Sequence, residues 1–248
     1  MAHKLFKLWI CFIFIFTQNV YSQEHEEKIK LADSLFAKNN FEKSLQVYEI
    51  VFDSTGKYSL SMLLKMAFLN ERNGDYSKAL FYLNIFYRDQ PDKRILEQME
   101  VLAEKNNLVG YKYTDLEYFT SLYNEYYYHI IIYILLGSFA YFLNLVVKKY
   151  QKKNLGYRSV AFIIILMIVF YITNYRIIPT RAIISNKNAL LMTAPSAGSN
   201  VIDIVGEGHR VTLYRKKDIW YEISWEEGRA FIREDDLHII PQNNKLLF

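Results

Sequence analysis

The stretch Ile130–Val147 reads IIIYILLGSFAYFLNLVV, and the basic run Lys148–Asn154, KKYQKKN, follows it directly. A second apolar run, Ser159–Ile178, reads SVAFIIILMIVFYITNYRII. Each apolar run has about 20 residues, which is the length that an α-helix needs to cross the hydrocarbon core of a bilayer. The sequence therefore predicts two transmembrane helices, at 130–147 and 159–178, joined by a basic loop at 148–158.

The basic loop also predicts how this hairpin is oriented in the membrane. Cytoplasmic loops next to membrane spans carry an excess of Lys and Arg. Five basic side chains fall in this loop: Lys148, Lys149, Lys152, Lys153 and Arg158. We therefore expect the loop to lie in the cytoplasm and both ends of the chain to lie outside it.

The N-terminus has the layout of a secretory signal peptide over residues 1–22. Lys4 and Lys7 precede an apolar run of about a dozen residues, and small or medium residues precede the expected cleavage point after Ser22. The alternative is an uncleaved anchor, and the sequence leaves open whether the segment is removed. In either case the residues from Gln23 onward are expected outside the cytoplasm, which agrees with the basic loop.

The net charge of +4 does not indicate a nucleic-acid-binding protein. The segment 23–127 holds 13 Lys and Arg against 17 Asp and Glu, whereas five basic residues are concentrated in the loop 148–158. Binding to nucleic acid needs phosphate-neutralising charge on a folded surface. We therefore expect no nucleic-acid partner.

The composition also argues against enzyme chemistry. The single cysteine, Cys11, excludes a disulfide framework and a cysteine metal site. The five histidines are scattered without metal-ligand spacing, and the sequence has no Gly-rich phosphate loop, nucleophile elbow or HExxH motif. The sequence therefore predicts a protein that is not an enzyme, with no catalytic residues, metal or cofactor.

Two segments near the N-terminus align at a spacing of 35 residues. Lys30–Phe52 overlies Lys65–Pro91, so that Ala32 falls on Ala67. The second segment contains GDYSKALFYL, in which a turn glycine and an aromatic residue precede a small residue. Small residues allow two antiparallel helices to approach, and the aromatic after the turn fills the gap between them.

This pattern resembles a tetratricopeptide repeat. Pro91 ends the second unit, and an apolar stripe over 91–106 indicates a capping helix. The resemblance predicts a helical array over 23–113. In such arrays the first helix of each pair lines a concave groove, which often binds a peptide of a partner protein. Carried onto this chain, the groove residues are Asp33, Phe36, Phe68, Glu71 and Arg72; the alternative is that these are ordinary solvent-facing positions.

The segment 114–129 is expected to form a helix that leads into the first span. Thr114–Glu117 has the spacing of a capping box, and no Gly or Pro interrupts the chain from there to Gly137. Tyr123–His129, YNEYYYH, is typical of the aromatic belt at a membrane interface.

The C-terminal region, 189–248, shows short alternating runs separated by turn residues, which is the pattern of a small β-barrel. It resembles a bacterial SH3-type domain, preceded by a linker at 179–188. Three aromatic residues are candidates for a binding face: Trp220, Trp225 and Phe231. The favoured alternative is that they cover a small core, because aromatic residues dominate such cores. Leu190-Leu191-Met192 departs from the usual SH3-type strand, which weakens a claim to cell-wall peptide binding.

The predicted architecture is a multi-domain membrane protein with an all-α tetratricopeptide-like array, a two-helix transmembrane hairpin and a small all-β SH3-like barrel. This order, together with the Asn154-Leu155-Gly156 hairpin turn, resembles the Bacteroides aerotolerance family of E type. The resemblance implies a bacterial inner-membrane complex with von Willebrand A-domain proteins and a MoxR-type AAA+ ATPase, linked to envelope integrity and oxidative-stress tolerance.

The function predicted from this resemblance is a membrane-anchored scaffold whose two folded modules face the periplasm. The alternative is an envelope sensor whose barrel binds peptidoglycan. A cytoplasmic side of about ten residues argues against a sensor, because it leaves no room for an output domain.

Overall fold

The computed structural model describes residues 25–112, 115–151, 156–174, 180–226 and 228–241. The signal peptide predicted at 1–22 lies outside these residues. The helices are α1 (25–37), α2 (Phe41–Thr55), α3 (Leu60–Arg72), α4 (Tyr76–Asp89), α5 (Lys93–Lys105), α6 (Asp115–Tyr150) and α7 (Gly156–Asn174). The strands are β1 (Thr180–Ile184), β2 (Ala189–Met192), β3 (Val201–Val205), β4 (Arg210–Lys217), β5 (Trp220–Trp225), β6 (Gly228–Arg233) and β7 (Leu237–Ile239), with a 3-10 turn at Glu234–Asp236.

Helices α1–α4 form two pairs with short turns. Helix α2 begins at Phe41 and α4 at Tyr76, which reproduces the spacing of 35 residues in the sequence. The preceding turns place Asn39 at φ 58° and Gly74 at φ 81°. Asn tolerates this left-handed region better than other side chains. Asn39 therefore takes the turn position that glycine takes in the second pair.

Small buried residues lie at equivalent positions in the two pairs. Ala32, Ser44, Ala67 and Ala79 are at most 2% exposed, and Ser44 Oγ donates a hydrogen bond to the Ala32 carbonyl oxygen at 2.9 Å. Larger side chains here would force the helices apart. Helix α5 extends the array and packs on α4 through its own apolar side.

Helix α6 is one continuous helix of 36 residues, which makes it about 54 Å long. It joins the helix predicted at 114–129 to the first predicted span, although Thr114 of the predicted capping box lies outside the described residues. Near its start, Tyr118 packs against the core of the array, with Lys93 Nζ 4.8 Å from its ring centroid. The array therefore holds the first turns of α6.

Among the described residues, one helical segment is long and apolar enough to cross a membrane, Tyr126–Tyr150 of α6. Only 11% of its apolar window is buried within the molecule. Of the two predicted spans, only the first is long and apolar enough within the described residues to cross a membrane. In α7 the apolar stretch is shorter, Val160–Tyr171; the last residues of the second predicted span, 175–178, lie outside the described residues. Helix α7 packs on α6, where Phe162 contacts Tyr141 and Phe142 at ring distances of 6.2 and 5.8 Å.

The strands described form one antiparallel sheet with the order β3-β2-β6-β5-β4-β1-β7. Strand β1 lies inside the segment 179–188, which the sequence analysis assigned to a linker. It pairs with β4 on one side and β7 on the other. The sheet therefore begins at Thr180, before the predicted start at 189. Sequence reasoning missed β1 because TRAII is short and follows a long apolar run, from which Pro179 alone separates it.

The array and the sheet form one packed body, which we call the head (α1–α5 with β1–β7). Ile183 of β1 and Ile240, just after β7, belong to the buried core of the helices. Ser77 Oγ of α4 donates a hydrogen bond to the Ile184 carbonyl oxygen at 3.1 Å. A second apolar core lies within the sheet itself. The head is thus built from segments on both sides of α6 and α7 in the chain.

Candidate partner-binding surface

Three phenylalanines from three helices line one surface of the array, which we call the aromatic groove (Phe36, Phe41 and Phe68). Their ring centroids lie 5.5, 6.0 and 6.2 Å apart, and the rings meet edge to face. This arrangement is favoured because the positive edge of one ring meets the negative face of the next. Phe68 remains 46% exposed, and Leu64, one helical turn before it, is also exposed. The groove therefore presents apolar surface to solvent.

A hydrogen-bonded ion pair borders the aromatic groove. Lys65 Nζ lies 2.7 Å from Asp33 Oδ1, and the buried Tyr48 hydroxyl donates a hydrogen bond to the same oxygen. Burial, followed by the hydrogen bond to Asp33, raises the pKa of Tyr48 well above its ordinary value, so the hydroxyl stays protonated. These contacts hold α1, α2 and α3 in a fixed relation at the groove.

Two cations lie over the rings of the groove. The Arg72 guanidinium carbon is 4.7 Å from the Phe41 centroid, and Lys65 Nζ is 5.7 Å from the Phe36 centroid. Both distances are within the range of cation–π attraction. Arg72 is exposed at the C-terminal end of α3. The stacked guanidinium presents donors that can bind a carboxylate or a backbone carbonyl next to an apolar anchor.

The structure brings four of the five predicted groove residues together: Asp33, Phe36, Phe68 and Arg72. The fifth, Glu71, is half-buried beside Arg72 on α3. Sequence reasoning did not assign Phe41, Tyr48 or Lys65 to the groove. For Phe41 a signal existed, since it is the aromatic that follows the first turn. Tyr48 and Lys65 reach Asp33 only through the packing of α2 and α3 on α1.

The three aromatic residues predicted for a barrel face do not form one face. β5 and β6 pair in unbroken register from Trp220 opposite Arg233 to Trp225 opposite Gly228. Because side chains alternate along a strand, positions 220 and 225 point to opposite sides. Trp225 packs on the sheet core, and its indole N–H donates to Asp203 Oδ2 at 3.2 Å. Phe231 lies opposite Glu222, on the side of Trp220. The three residues are therefore divided between the two sides of the sheet, with Trp220 and Phe231 on one side and Trp225 on the other.

The segment between α5 and α6, which we call the strap (residues 108–112), binds to the sheet. The Arg210 N–H donates to the Val109 carbonyl oxygen at 3.0 Å, and Arg210 Nε donates to the Gly110 carbonyl oxygen at 2.6 Å. The Tyr111 hydroxyl donates to the Gly208 carbonyl oxygen at 2.8 Å. These bonds join residues about 100 positions apart in the chain.

A cleft of about 510 Å³ opens between the sheet and α5 with the strap. Its walls carry aromatic rings and charges of both signs: Glu104, Glu226, Lys112, Arg181, Tyr111 and Trp225. The mixed charges favour neither an anion nor a cation. The aromatic groove therefore remains the surface with the more defined binding chemistry. In the part of the chain that the structure describes, no group of three or more His, Cys, Asp or Glu residues is arranged to hold a metal ion.

Comparison of the chain with protein-family models, with curated proteins and with solved structures finds no match.

Proposed function

We propose that this protein is a membrane-anchored scaffold that binds a partner polypeptide in the aromatic groove. The observation that carries the proposal is the edge-to-face cluster of Phe36, Phe41 and Phe68, in which Phe68 is exposed and the other two rings are half-buried, flanked by Arg72. Exposed aromatic residues next to an arginine are typical of the few residues that supply most of the energy of a protein interface. The groove is the proposed docking site; Asp33 and Lys65 shape it.

Two structural features support the finer fold assignments. The repeated helix pairs, with small residues at their crossings, support a tetratricopeptide-like array. In the sheet, β1 lies between β7 and β4, and β4, β5 and β6 follow as a meander, which supports an SH3-like barrel with the β2–β3 hairpin as an insertion.

The packing of the head supports a transmembrane hairpin. The array precedes α6 and the sheet follows α7, yet the two are hydrogen-bonded to each other through the strap and α4. If α6 crosses a membrane, this packing supports a location of both on the same side of it, because a bilayer core does not accommodate exposed loops. An even number of crossings follows, and α7 is the helix available for the return.

The proposed location is a bacterial inner membrane, with the head in the periplasm and the loop 148–158 in the cytoplasm. Lys148 and Lys149 lie in the last turn of α6 and Arg158 lies near the start of α7, while Lys152 and Lys153 lie outside the described residues. Through the family resemblance, the proposed partners are von Willebrand A-domain membrane proteins and a MoxR-type AAA+ ATPase, in a complex linked to envelope integrity and oxidative-stress tolerance. We propose no enzymatic activity and no cofactor.

Co-purification tests this function. A tagged copy is extracted in mild detergent, and the proteins that accompany it are quantified by mass spectrometry. We expect A-domain proteins and the ATPase in the wild type. Phe68→Glu should reduce their recovery about tenfold or more, since it places a charge where an apolar anchor binds. The matched control is Val101→Glu on α5, which changes an exposed apolar residue outside the groove.

Two outcomes would contradict the proposal. If both variants retain the partners, the groove is not the docking site. If the wild type is recovered alone, or only with cell-wall fragments, the scaffold function fails and a wall-binding sensor takes its place.

A further inference from the structure

His209, just before β4, contacts both the strap and the sheet through its imidazole ring. Its Nδ1 accepts a hydrogen bond from the backbone N–H of Val109 at 3.0 Å. The imidazole also meets the ring of Trp225 edge to face, with the ring centroids 5.5 Å apart. An imidazole nitrogen accepts a hydrogen bond only while it carries no proton. The contact with Val109 therefore exists only for neutral His209.

The strap is held by Tyr111, which is buried in the core of the helices, and by hydrogen bonds to the sheet around this histidine. Val109 itself is 54% exposed, so its side chain contributes little burial. On the sheet side, the contacts come from the consecutive residues Gly208, His209 and Arg210. Three residues beyond the strap, α6 begins at Asp115. A change at His209 thus acts on the segment that precedes α6 in the chain.

We propose that His209 is an acid-sensitive latch, which loosens the Val109 segment of the strap from the sheet when its Nδ1 takes up a proton. The proton comes from water and turns Nδ1 into a donor that faces the donor N–H of Val109. One hydrogen bond is lost and two N–H groups are brought into opposition. This inference does not rest on the proposed function.

The surroundings of His209 favour its neutral form. Burial lowers the pKa of His209 below its ordinary value of 6.5, and the carboxylate of Asp203 on β3 opposes that effect. The charged groups that line the adjoining cleft are Glu100 and Glu104 of α5, Lys112 of the strap, and Arg181, Arg210 and Glu226 on the sheet side. Because the latched state favours neutral His209, its stability is complete above pH 6.5 and falls as the pH drops below that value.

A second histidine lies at another contact between the sheet and the array. His238 of β7 packs on Phe81, with the ring centroids 5.3 Å apart. Burial, then the charge of Lys78, lowers the pKa of His238, while Asp75 of α4 and Asp53 of α2 act in the opposite direction. Protonation of His238 therefore weakens the contact with Phe81, which does not involve the strap. The two histidines can therefore be separated experimentally.

Hydrogen exchange followed by mass spectrometry tests the latch in the full chain, held in detergent micelles. Exchange is compared at about pH 7.5 and about pH 5.5, with times scaled for the slower intrinsic exchange in acid. We expect peptides that cover the strap to lose protection in acid, by up to about tenfold for each pH unit below 6.5. Peptides from α3 serve as the internal control and should keep their protection.

The variant His209→Asn isolates the effect of the proton, because its side-chain oxygen stands near the position of Nδ1, accepts from Val109 and does not titrate. We expect this variant to keep strap protection at both pH values, and His238→Asn to lose it as the wild type does. The latch is wrong if His209→Asn loses strap protection in acid as the wild type does. If that variant fails to fold, strap protection of the wild type is measured over a series of pH values. A loss of protection centred near pH 4 would assign the effect to carboxylates and overturn the proposal.

Discussion

At the scale of single residues, the contact between strap and sheet depends on two glycines in the left-handed region. Gly110 has φ +96° and Gly208 has φ +98°. A Cβ on Gly110 would overlap the carbonyl oxygen of Arg210, and one on Gly208 would lie 2.9 Å from Leu108 Cδ1. Gly110 is therefore required by close approach to backbone as well as by its own conformation, whereas at Gly208 the conformation decides, since the Leu108 side chain can move.

Replacing Gly110 by alanine is expected to destabilise the head by about 3 kcal/mol. Left-handed strain contributes about 1–2 kcal/mol, and displacement of the Arg210 backbone adds a similar amount. The matched control is Gly74→Ala, which has φ +81° but open space around its Cβ, so that only the strain applies. Thermal unfolding followed by near-UV circular dichroism measures both. Equal losses in the two variants would contradict the overlap at Gly110.

At the scale of elements, most helix starts in the array are decided by local hydrogen bonds. The side chains of Ser59, Asp75 and Asp92 accept from backbone N–H groups in the first turns of α3, α4 and α5, at 3.1, 2.9 and 2.9 Å. Such caps satisfy donors that the helix itself leaves unpaired. Asn40, before α2, makes no such side-chain bond.

This difference predicts unequal effects of two alanine substitutions at helix starts. Asp75→Ala should lower the free energy of unfolding by about 1 kcal/mol, because the N–H of Lys78 loses its acceptor. Asn40→Ala should cost clearly less, since no cap is lost. Equilibrium denaturation of the two variants compares them directly. A larger loss for Asn40→Ala would show that capping does not govern these helix starts.

At the scale of the whole molecule, the head closes a long loop in the chain. The array and the sheet are in contact through the strap, although α6 and α7 lie between them in the sequence. In the proposed transmembrane arrangement, these contacts require the array and the sheet to lie on the same side of the membrane.

Cysteine labelling tests that topology in intact spheroplasts of a variant in which Cys11 is replaced by serine. Cysteines are placed at Lys38 in the array, at Lys187 after β1, whose side chain is 80% exposed, and at Gln151 after α6. We expect a membrane-impermeant maleimide to label the first two sites, and to label Gln151→Cys only after permeabilisation. Labelling of Lys38→Cys without Lys187→Cys would exclude a return through α7.

The repeat spacing, the turns, the caps and the long apolar helix were determined by the sequence alone, because each depends on residues within a few positions of one another. The mixed helical and antiparallel β character was also predictable. The core-side position of Trp225 agrees with the favoured alternative that these aromatic residues cover a small core. Strand β1 and the ion pair at the groove were not predictable. They depend on contacts between distant segments, such as Arg210 with Gly110, whose energies no local pattern encodes. Only the tertiary structure decided that the array and the sheet form one head, since their union comes from the burial of Ile183 and Ile240 among helices far away in sequence.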